Sequence, residues 1–161
     1  MDENGNIIRL IVVRHGDAEQ ETGVPDDSRR ITKKGKKQLK RAANFIDKMN
    51  YNIESVVSSP LIRSRESAEV LVDELGLDLK IDMNDSLKPD ADIASTIAFI
   101  KTLKDNTIIV GHNPNLSILL GKIVGFNGEL KKAGVAVLDL NKSDMKSSLD
   151  LLLDQKVLKL I

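Results

Sequence analysis

Cysteine and tryptophan are both absent from this chain of 161 residues, and aromatic residues make up only 2% of it. Without cysteine, the protein has no disulfides, no thiolate nucleophile and no thiolate metal ligands. No apolar run approaches the roughly 20 residues that cross a bilayer, and the acidic N-terminus lacks the pattern of a signal peptide. We therefore expect a cytoplasmic protein that does not bind membranes.

The chain also has no excess of either charge, because 24 lysines and arginines balance 24 aspartates and glutamates. A net charge of zero provides no general attraction to DNA or RNA, so we do not expect a nucleic-acid partner. Only two histidines are present, so a zinc site would need carboxylates as its remaining ligands. We expect no metal and no cofactor, and we expect a monomer.

The hydrophobic pattern alternates between short buried strands and amphipathic helices, with no linker that would divide the chain. Continuous apolar runs predict strands at 7–13, 56–57, 79–81, 107–110, 134–140 and 148–153. Apolar residues three or four apart predict helices from Thr32 to about Asn50, near 68–75 with a stop at Gly76, over 93–103, and from Pro114 to 123. Residues 156–161 are compatible with a final strand or a loose tail. This alternation favours a single α/β domain over residues 1–161, a three-layer α/β/α fold with a mainly parallel central sheet.

Cationic and titratable side chains follow three of the predicted strands. Arg14 and His15 follow the first, Arg63 follows the second, and His112 follows the fourth. Because the carboxyl ends of parallel strands meet at one edge of a sheet, these side chains should lie close together. Two guanidinium groups and two imidazoles suit a dianionic phosphoryl group. The amides that open the helix at Asn113 add further donors, so we count Asn113 as substrate-binding.

Three segments resemble a known family. Residues 10–18, Leu-Ile-Val-Val-Arg-His-Gly-Asp-Ala, resemble the signature of the histidine phosphatase superfamily, the phosphoglycerate-mutase-like enzymes. Residues 58–63, Ser-Ser-Pro-Leu-Ile-Arg, resemble its second arginine motif, and 110–114, Val-Gly-His-Asn-Pro, its second histidine motif. The Asp-Ala pair and residues 87–89, Leu-Lys-Pro, resemble the SixA-type phosphohistidine phosphatases within that superfamily.

The resemblance implies a phosphoglycerate-mutase-like fold and a role for each matched residue. His15 would be the nucleophile and would form a phosphohistidine intermediate that water hydrolyses. Arg14 and Arg63 would bind the phosphoryl oxygens. His112, also in contact with the substrate, would stabilise the transition state, and protonation of this second histidine is one way to do so.

One departure from the resemblance concerns the general acid. Larger members supply a carboxylic acid that protonates the leaving oxygen, and Ser86 occupies that place here. Asp85, Asp90 and Asp92 lie nearby but are only candidates. A site without such an acid favours phosphohistidine, aryl phosphates or other good leaving groups, because an imidazole can be protonated near neutral pH.

Two other functions stay open. One is a small-molecule phosphatase or mutase of the same superfamily, although no long insertion that would build a lid follows the second strand. The other is a non-catalytic module that binds phosphoproteins, which a complete set of nucleophile and oxyanion donors argues against.

Several conspicuous residues have structural interpretations that we favour. Arg65 lies on an exposed helix face or supports the rim of the pocket, and Asp17 anchors its loop or orients an arginine. A pair of carboxylates at Asp90 and Asp92 suggests a divalent ion, but we favour a helix cap. The basic segment 29–41 is interpreted as a solvated helix face rather than as a guide for an acidic phosphoprotein.

Overall fold

A central sheet flanked by helices is built from residues 4–20 and 22–161, the parts that this computed structural model describes. The strands are β1 (Ile7–Arg14), β2 (Ser55–Ser58), β3 (Ile81–Met83), β4 (Thr107–Gly111), β5 (Val135–Asn141) and β6 (Ser147–Leu153). The helices are α1 (Lys33–Lys48), α2 (Ile62–Leu75), α3 (Ile93–Ile100), α4 (Asn115–Val124) and α5 (Gln155–Leu158). Short 3-10 turns span Asp26–Ser28 and Asp85–Leu87.

The strands lie in the order β3-β2-β4-β1-β5-β6. Strands β3, β2, β4 and β1 are parallel, whereas β5 pairs antiparallel with β1 and β6 antiparallel with β5. The turn between β5 and β6 is too short for the crossover that a parallel pair requires. The predicted α/β class with a parallel sheet is confirmed, and the two last strands add an antiparallel edge.

Both faces of the sheet are covered, which gives the three layers predicted. Alternate residues of β1 point to opposite sides: Ile11 and Val13 pack with α1 and α2, whereas Leu10 and Val12 pack with α3 and α4. Because side chains on both sides of β1 are buried, the strand is almost continuously apolar and does not alternate between apolar and polar residues.

Local signals place the helix ends well but miss the last helix. The Thr32 side chain caps α1 by accepting from the Gly35 amide at 3.1 Å, and α2 ends at Gly76 with a φ of 61°. The short strand β3 begins two residues later than predicted. The last segment is neither strand nor loose tail: Asp154 caps α5, and Leu158 of that helix is only 2% exposed.

No helix in the parts of the chain that the structure describes combines the length and the apolar character needed to cross a membrane.

Candidate active site

The ends of three parallel strands bring two imidazoles and two guanidinium groups together. Arg14 ends β1 and pairs in register with Gly111, which ends β4, so His15 and His112 follow neighbouring strands. Their ring centroids are 5.0 Å apart, with a tilt of 55° between the planes. Arg63 stands in the first turn of α2, directly after β2. His15, Arg63 and His112 are all buried, with exposed fractions of 6%, 4% and 1%.

The His15 ring is held by backbone. Its Nδ1 lies 2.7 Å from the carbonyl oxygen of Gly16, and since a carbonyl oxygen only accepts, Nδ1 carries the proton. Nε2 therefore keeps its lone pair. The Gly16 amide donates to the Ser67 hydroxyl at 3.1 Å, and Ser67 donates to the Arg63 carbonyl at 2.7 Å, which ties this loop to α2.

Close packing of the His15 loop against α1 depends on glycine. A Cβ atom on Gly16 would lie 2.5 Å from the Leu39 Cδ2 atom and 2.9 Å from the Gly35 carbonyl oxygen. A Cβ atom on Gly35 would overlap the Asp17 carbonyl oxygen. The two glycines thus fix the distance between the His15 loop and α1.

Burial keeps His15 neutral. It lowers the pKa of His15 to about 4, an effect that the hydrogen bond to Gly16 partly opposes and the nearby arginines reinforce. The imidazole is therefore neutral at physiological pH, which is the state that a nucleophilic histidine requires.

His112 has its ring held by a side chain. Its Nε2 atom lies 2.8 Å from the hydroxyl oxygen of Ser59, while its Nδ1 atom is buried without a partner among the described residues. Burial, and then the charges of His15 and the arginines, lower the pKa of His112 to about 2. The second histidine is consequently neutral in this structure, in contrast to the imidazolium considered from the sequence.

Each arginine is anchored along one edge of its guanidinium. Arg14 Nη1 donates to the Glu129 carboxylate and to the Leu130 carbonyl, both at 3.1 Å. Arg63 Nη1 donates to the Asp26 carbonyl at 2.8 Å, and its Nη2 lies 3.4 Å from the Asp26 carboxylate. Burial lowers the pKa of both arginines, and their mutual repulsion adds to the effect at Arg14.

Unpartnered donors concentrate at this site. Buried side-chain polar atoms without a hydrogen bond, within the described residues, number five, and three of them are Arg14 Nε, Arg63 Nε and His112 Nδ1. A buried donor without an acceptor costs about 1–3 kcal/mol. An anion that accepts from these groups would remove that cost, so the arrangement is suited to binding an oxyanion.

Asn113 also stands at the end of β4, but its side chain is engaged elsewhere. Its Nδ2 donates to the Leu130 carbonyl at 2.8 Å, and its Oδ1 accepts from the Ser117 hydroxyl at 2.6 Å. Because Arg14 donates to the same carbonyl, the Asn113 side chain supports the position of Arg14.

The other candidates from the sequence lie outside the cluster. Asp17 accepts from Thr32 at 2.7 Å and from Lys132 at 3.2 Å, so it anchors its loop and contacts no arginine among the described residues. Arg65 lies 3.7 Å from Glu69 with its side chain 45% exposed. The lysines of the basic segment 29–41, at 33, 34, 36, 37 and 40, are exposed, as expected for a solvated face.

The aspartates near Ser86 build no ion site. Asp92 occupies the N-cap position of α3, as favoured, but its carboxylate accepts from the Ser95 hydroxyl at 3.4 Å and makes no capping bond to a backbone amide in the described part of the chain. Asp85 lies 3.6 Å from Lys88. No group of three or more histidines, cysteines or carboxylates placed to hold a metal ion is found in the described ranges.

A cavity of about 320 Å³ adjoins the site through Asp26, the residue that holds Arg63. Its lining combines three carboxylates with one lysine and two apolar residues: Asp26, Asp27, Asp90, Lys88, Leu61 and Pro89. Burial raises the pKa of Asp26, but Arg29 and Arg63 outweigh that effect and leave it below its usual value. The one carboxyl in the described chain with a raised pKa, Asp150, lies on β6 at the opposite edge of the sheet.

Sequence reasoning overlooked three residues that shape the site: Ser59, Ser67 and Asp26. Ser59 belongs to a segment already singled out, and a polar residue directly after a buried strand is a usable signal. Ser67 follows Arg63 by one helical turn, which is also readable. Asp26 reaches Arg63 from a loop without periodicity, so only the structure identifies it.

Comparison with known proteins gives a consistent picture. The family model described as histidine phosphatase superfamily (branch 1) matches residues 10–88. An uncharacterized protein of Picosynechococcus is 29% identical over 139 residues, which cover 80% of this chain and 82% of that protein. The phosphohistidine phosphatase SixA of Escherichia coli is 24% identical over 120 residues, 72% of this chain and 74% of SixA.

A solved structure of the protein histidine phosphatase SixA complexed with tungstate shares the fold. It superposes with a TM-score of 0.87 at 21% identity and covers 94% of this chain and 99% of its own. The resemblance predicted from the three motifs is confirmed.

Proposed function

We propose, from the premise that this chain belongs to the histidine phosphatase superfamily, that it hydrolyses phosphohistidine in a protein through a covalent intermediate on His15. The observation that carries the proposal is the hydrogen bond from His15 Nδ1 to the Gly16 carbonyl, 2.7 Å long. It fixes the proton on one ring nitrogen and leaves the other free to attack phosphorus.

The phosphoryl group would be bound by the donors that have no partner. Arg14, Arg63 and His112 surround the His15 ring and can donate to the three non-bridging oxygens as negative charge moves onto them. This charge neutralisation comes from guanidinium and imidazole groups, so the proposed mechanism requires no metal ion.

The reaction would proceed in two balanced steps. In the first, the phospho-imidazole of the substrate carries a proton on its free ring nitrogen, His15 Nε2 bonds to phosphorus, and the P–N bond of the substrate breaks so that its electron pair stays on the released, neutral imidazole. In the second, water attacks phosphorus, the bond to His15 Nε2 breaks, and inorganic phosphate leaves. Only residues 59–61 lie between β2 and α2, so no insertion that could build a lid stands there, and water can reach the intermediate.

Phosphohistidine is favoured over phosphate esters because Ser86 stands where larger members of the superfamily supply a general acid. An alkoxide leaving group needs a general acid, which typically contributes about 100-fold to 10,000-fold in rate. A phospho-imidazole leaving group is protonated near neutral pH without such help. The carboxylate of Asp26, with its lowered pKa, is a poor acid and does not change this preference.

The neighbouring cavity also disfavours the small-molecule alternative. Its lining includes three carboxylates, which would repel a second anionic group on a phosphoglycerate or a sugar bisphosphate. A neutral or cationic group beside the phosphohistidine meets no such repulsion.

A substrate panel tests the proposal. We expect kcat/KM for a phosphohistidine peptide to exceed that for 3-phosphoglycerate and glucose 6-phosphate by about 100-fold or more, the contribution of the missing acid. An aryl phosphate serves as a positive control with a good leaving group. All reactions contain a chelator, and His15→Ala provides the background.

Three outcomes would contradict the proposal. Equal or faster turnover of phosphoglycerate or sugar phosphate would favour the small-molecule phosphatase. Tight binding of the phosphohistidine peptide without turnover of any substrate would favour a binding module. Restoration of activity only on addition of a divalent ion would contradict the metal-free mechanism.

A further inference from the structure

Ser59 contacts His112 from a different strand. It directly follows β2, is 0% exposed, and its hydroxyl oxygen lies 2.8 Å from His112 Nε2. Its backbone amide donates to the Val110 carbonyl on β4 at 3.0 Å, which fixes its position relative to the strand that leads to His112.

The proton of this hydrogen bond can be assigned from the other partners of Ser59. The Leu61 amide donates to the Ser59 hydroxyl oxygen at 3.2 Å. An amide N–H cannot accept, so among the described residues His112 Nε2 is the acceptor available to the hydroxyl proton. The reverse arrangement, with Nε2 donating, would leave the buried Ser59 hydroxyl proton without an acceptor even when an anion is bound, whereas the arrangement with Ser59 donating leaves only the Nδ1–H group of His112 open, and a bound oxyanion can accept from that group.

We infer that Ser59 is a positioning residue that holds His112 as the neutral tautomer with its proton on Nδ1, directed at the oxygens of the bound phosphoryl group. Both the tautomer and the direction of its N–H group rest on one part of the proposed function, the binding of an oxyanion that accepts from Nδ1. The buried, unpartnered Nδ1 atom of His112 is the donor that this tautomer creates.

Such a tautomer gives the two histidines complementary roles. His15 presents a lone pair on Nε2, and His112 presents an N–H donor from a ring whose centroid is 5.0 Å away. His112 can then stabilise negative charge without adding a third positive charge beside Arg14 and Arg63. The depressed pKa of His112 is consistent with a ring that stays neutral.

Nitrogen NMR of histidine-labelled protein in the presence of inorganic phosphate tests the tautomer without any turnover. With only two histidines in the chain, His15→Ala assigns the four ring nitrogens. We expect His112 of the wild type to show a protonated Nδ1 and an unprotonated Nε2. In Ser59→Ala we expect a substantial population with the proton on Nε2, while the His15 signals stay unchanged.

Ser58→Ala is the matched control. Ser58 is an equally buried neighbour whose hydroxyl bonds to the Ser59 carbonyl and to Ser64 rather than to His112. We expect the control to keep the wild-type tautomer, and we expect Ser59→Ala to lower kcat about 10-fold to 100-fold with a smaller change in KM, as for other residues that orient a histidine.

A wild-type His112 with its proton on Nε2 would overturn the inference, and this measurement stands even if Ser59→Ala fails to fold. An unchanged tautomer in folded Ser59→Ala would also overturn it. If the tautomers behave as expected but wild-type protein turns over no phosphorylated substrate, the proposed function fails and the assignment of Ser59 stands.

Discussion

The two histidines occupy equivalent places in the sheet and are controlled in different ways. Each follows the end of a parallel strand, and those strands are neighbours in register. The proton of His15 is fixed by the carbonyl of the next residue, whereas the partner of His112 is a hydroxyl from a third strand end. The comparison teaches that the orientation of His15 depends on local backbone, and that the orientation of His112 depends on a tertiary contact that one substitution removes.

Both histidines lie in environments that lower their pKa, and the effect is larger at His112. Burial dominates both pKa values and lowers that of His15 to about 4 and that of His112 to about 2. At His15 the hydrogen bond to Gly16 raises the pKa against the effect of burial, whereas burial, His15 and the arginines all lower the pKa of His112. The two rings therefore differ in their hydrogen bonds rather than in their charge.

Removal of either histidine should have the largest effect on activity, and the two losses should differ. We expect His15→Ala to reduce kcat/KM on an aryl phosphate by about 10,000-fold or more, because the covalent route is lost. His112→Ala should cost about 100-fold to 1,000-fold, the usual loss for one oxyanion donor. Steady-state kinetics on purified variants gives both values.

Arg65→Ala is a suitable control for these variants, because Arg65 stands on the same helix as Arg63 with an exposed side chain. Turnover within a few-fold of wild type is expected for it. Equal losses for the two histidine variants would contradict the distinction between nucleophile and donor.

The free energy of unfolding should depend on pH through both histidines, over a different pH range for each. Both folded pKa values lie below the ordinary value of 6.5, so the unfolded chain binds protons that the folded chain does not. The contribution of each histidine to the free energy of unfolding is therefore complete above about pH 6.5. It is lost as the pH falls from there towards about 4 for His15 and about 2 for His112.

A proton NMR titration of the two imidazoles measures this directly. We expect neither ring to titrate between pH 7 and pH 5.5, and His15 to titrate before His112 as the pH falls further. A midpoint near 6.5 for either ring, or the opposite order in folded protein, would contradict the account. Denaturation curves of wild type and His15→Ala should show a weaker dependence on pH between 6.5 and 4 in the variant.

Much of the fold follows from features that act over a few residues. Continuous apolar runs locate β1 and β4, Thr32 marks the start of α1, and Gly76 marks the end of α2, because caps and periodicity are local. The final helix was missed because it is one turn long and depends on burial of Leu158, a tertiary contact.

The sequence was sufficient to predict which strand ends form the site. Parallel strands force His15, His112 and Arg63 to one edge, so their proximity follows from topology. The contact between Arg63 and Asp26 could not be predicted from the sequence, because Asp26 lies in an irregular loop. The state of His112 did not follow either, since it depends on burial and on the contact with Ser59, which spacing does not reveal.

Trapping the intermediate tests the central claim most directly. Protein mixed with a phosphohistidine peptide labelled on phosphorus is quenched in alkali within milliseconds, and the acid-labile phosphate is located by peptide mapping. We expect the label on Nε2 of His15, and none in His15→Ala. Label on Nδ1 or on His112, or normal turnover without any labelled protein, would contradict phosphoryl transfer through His15.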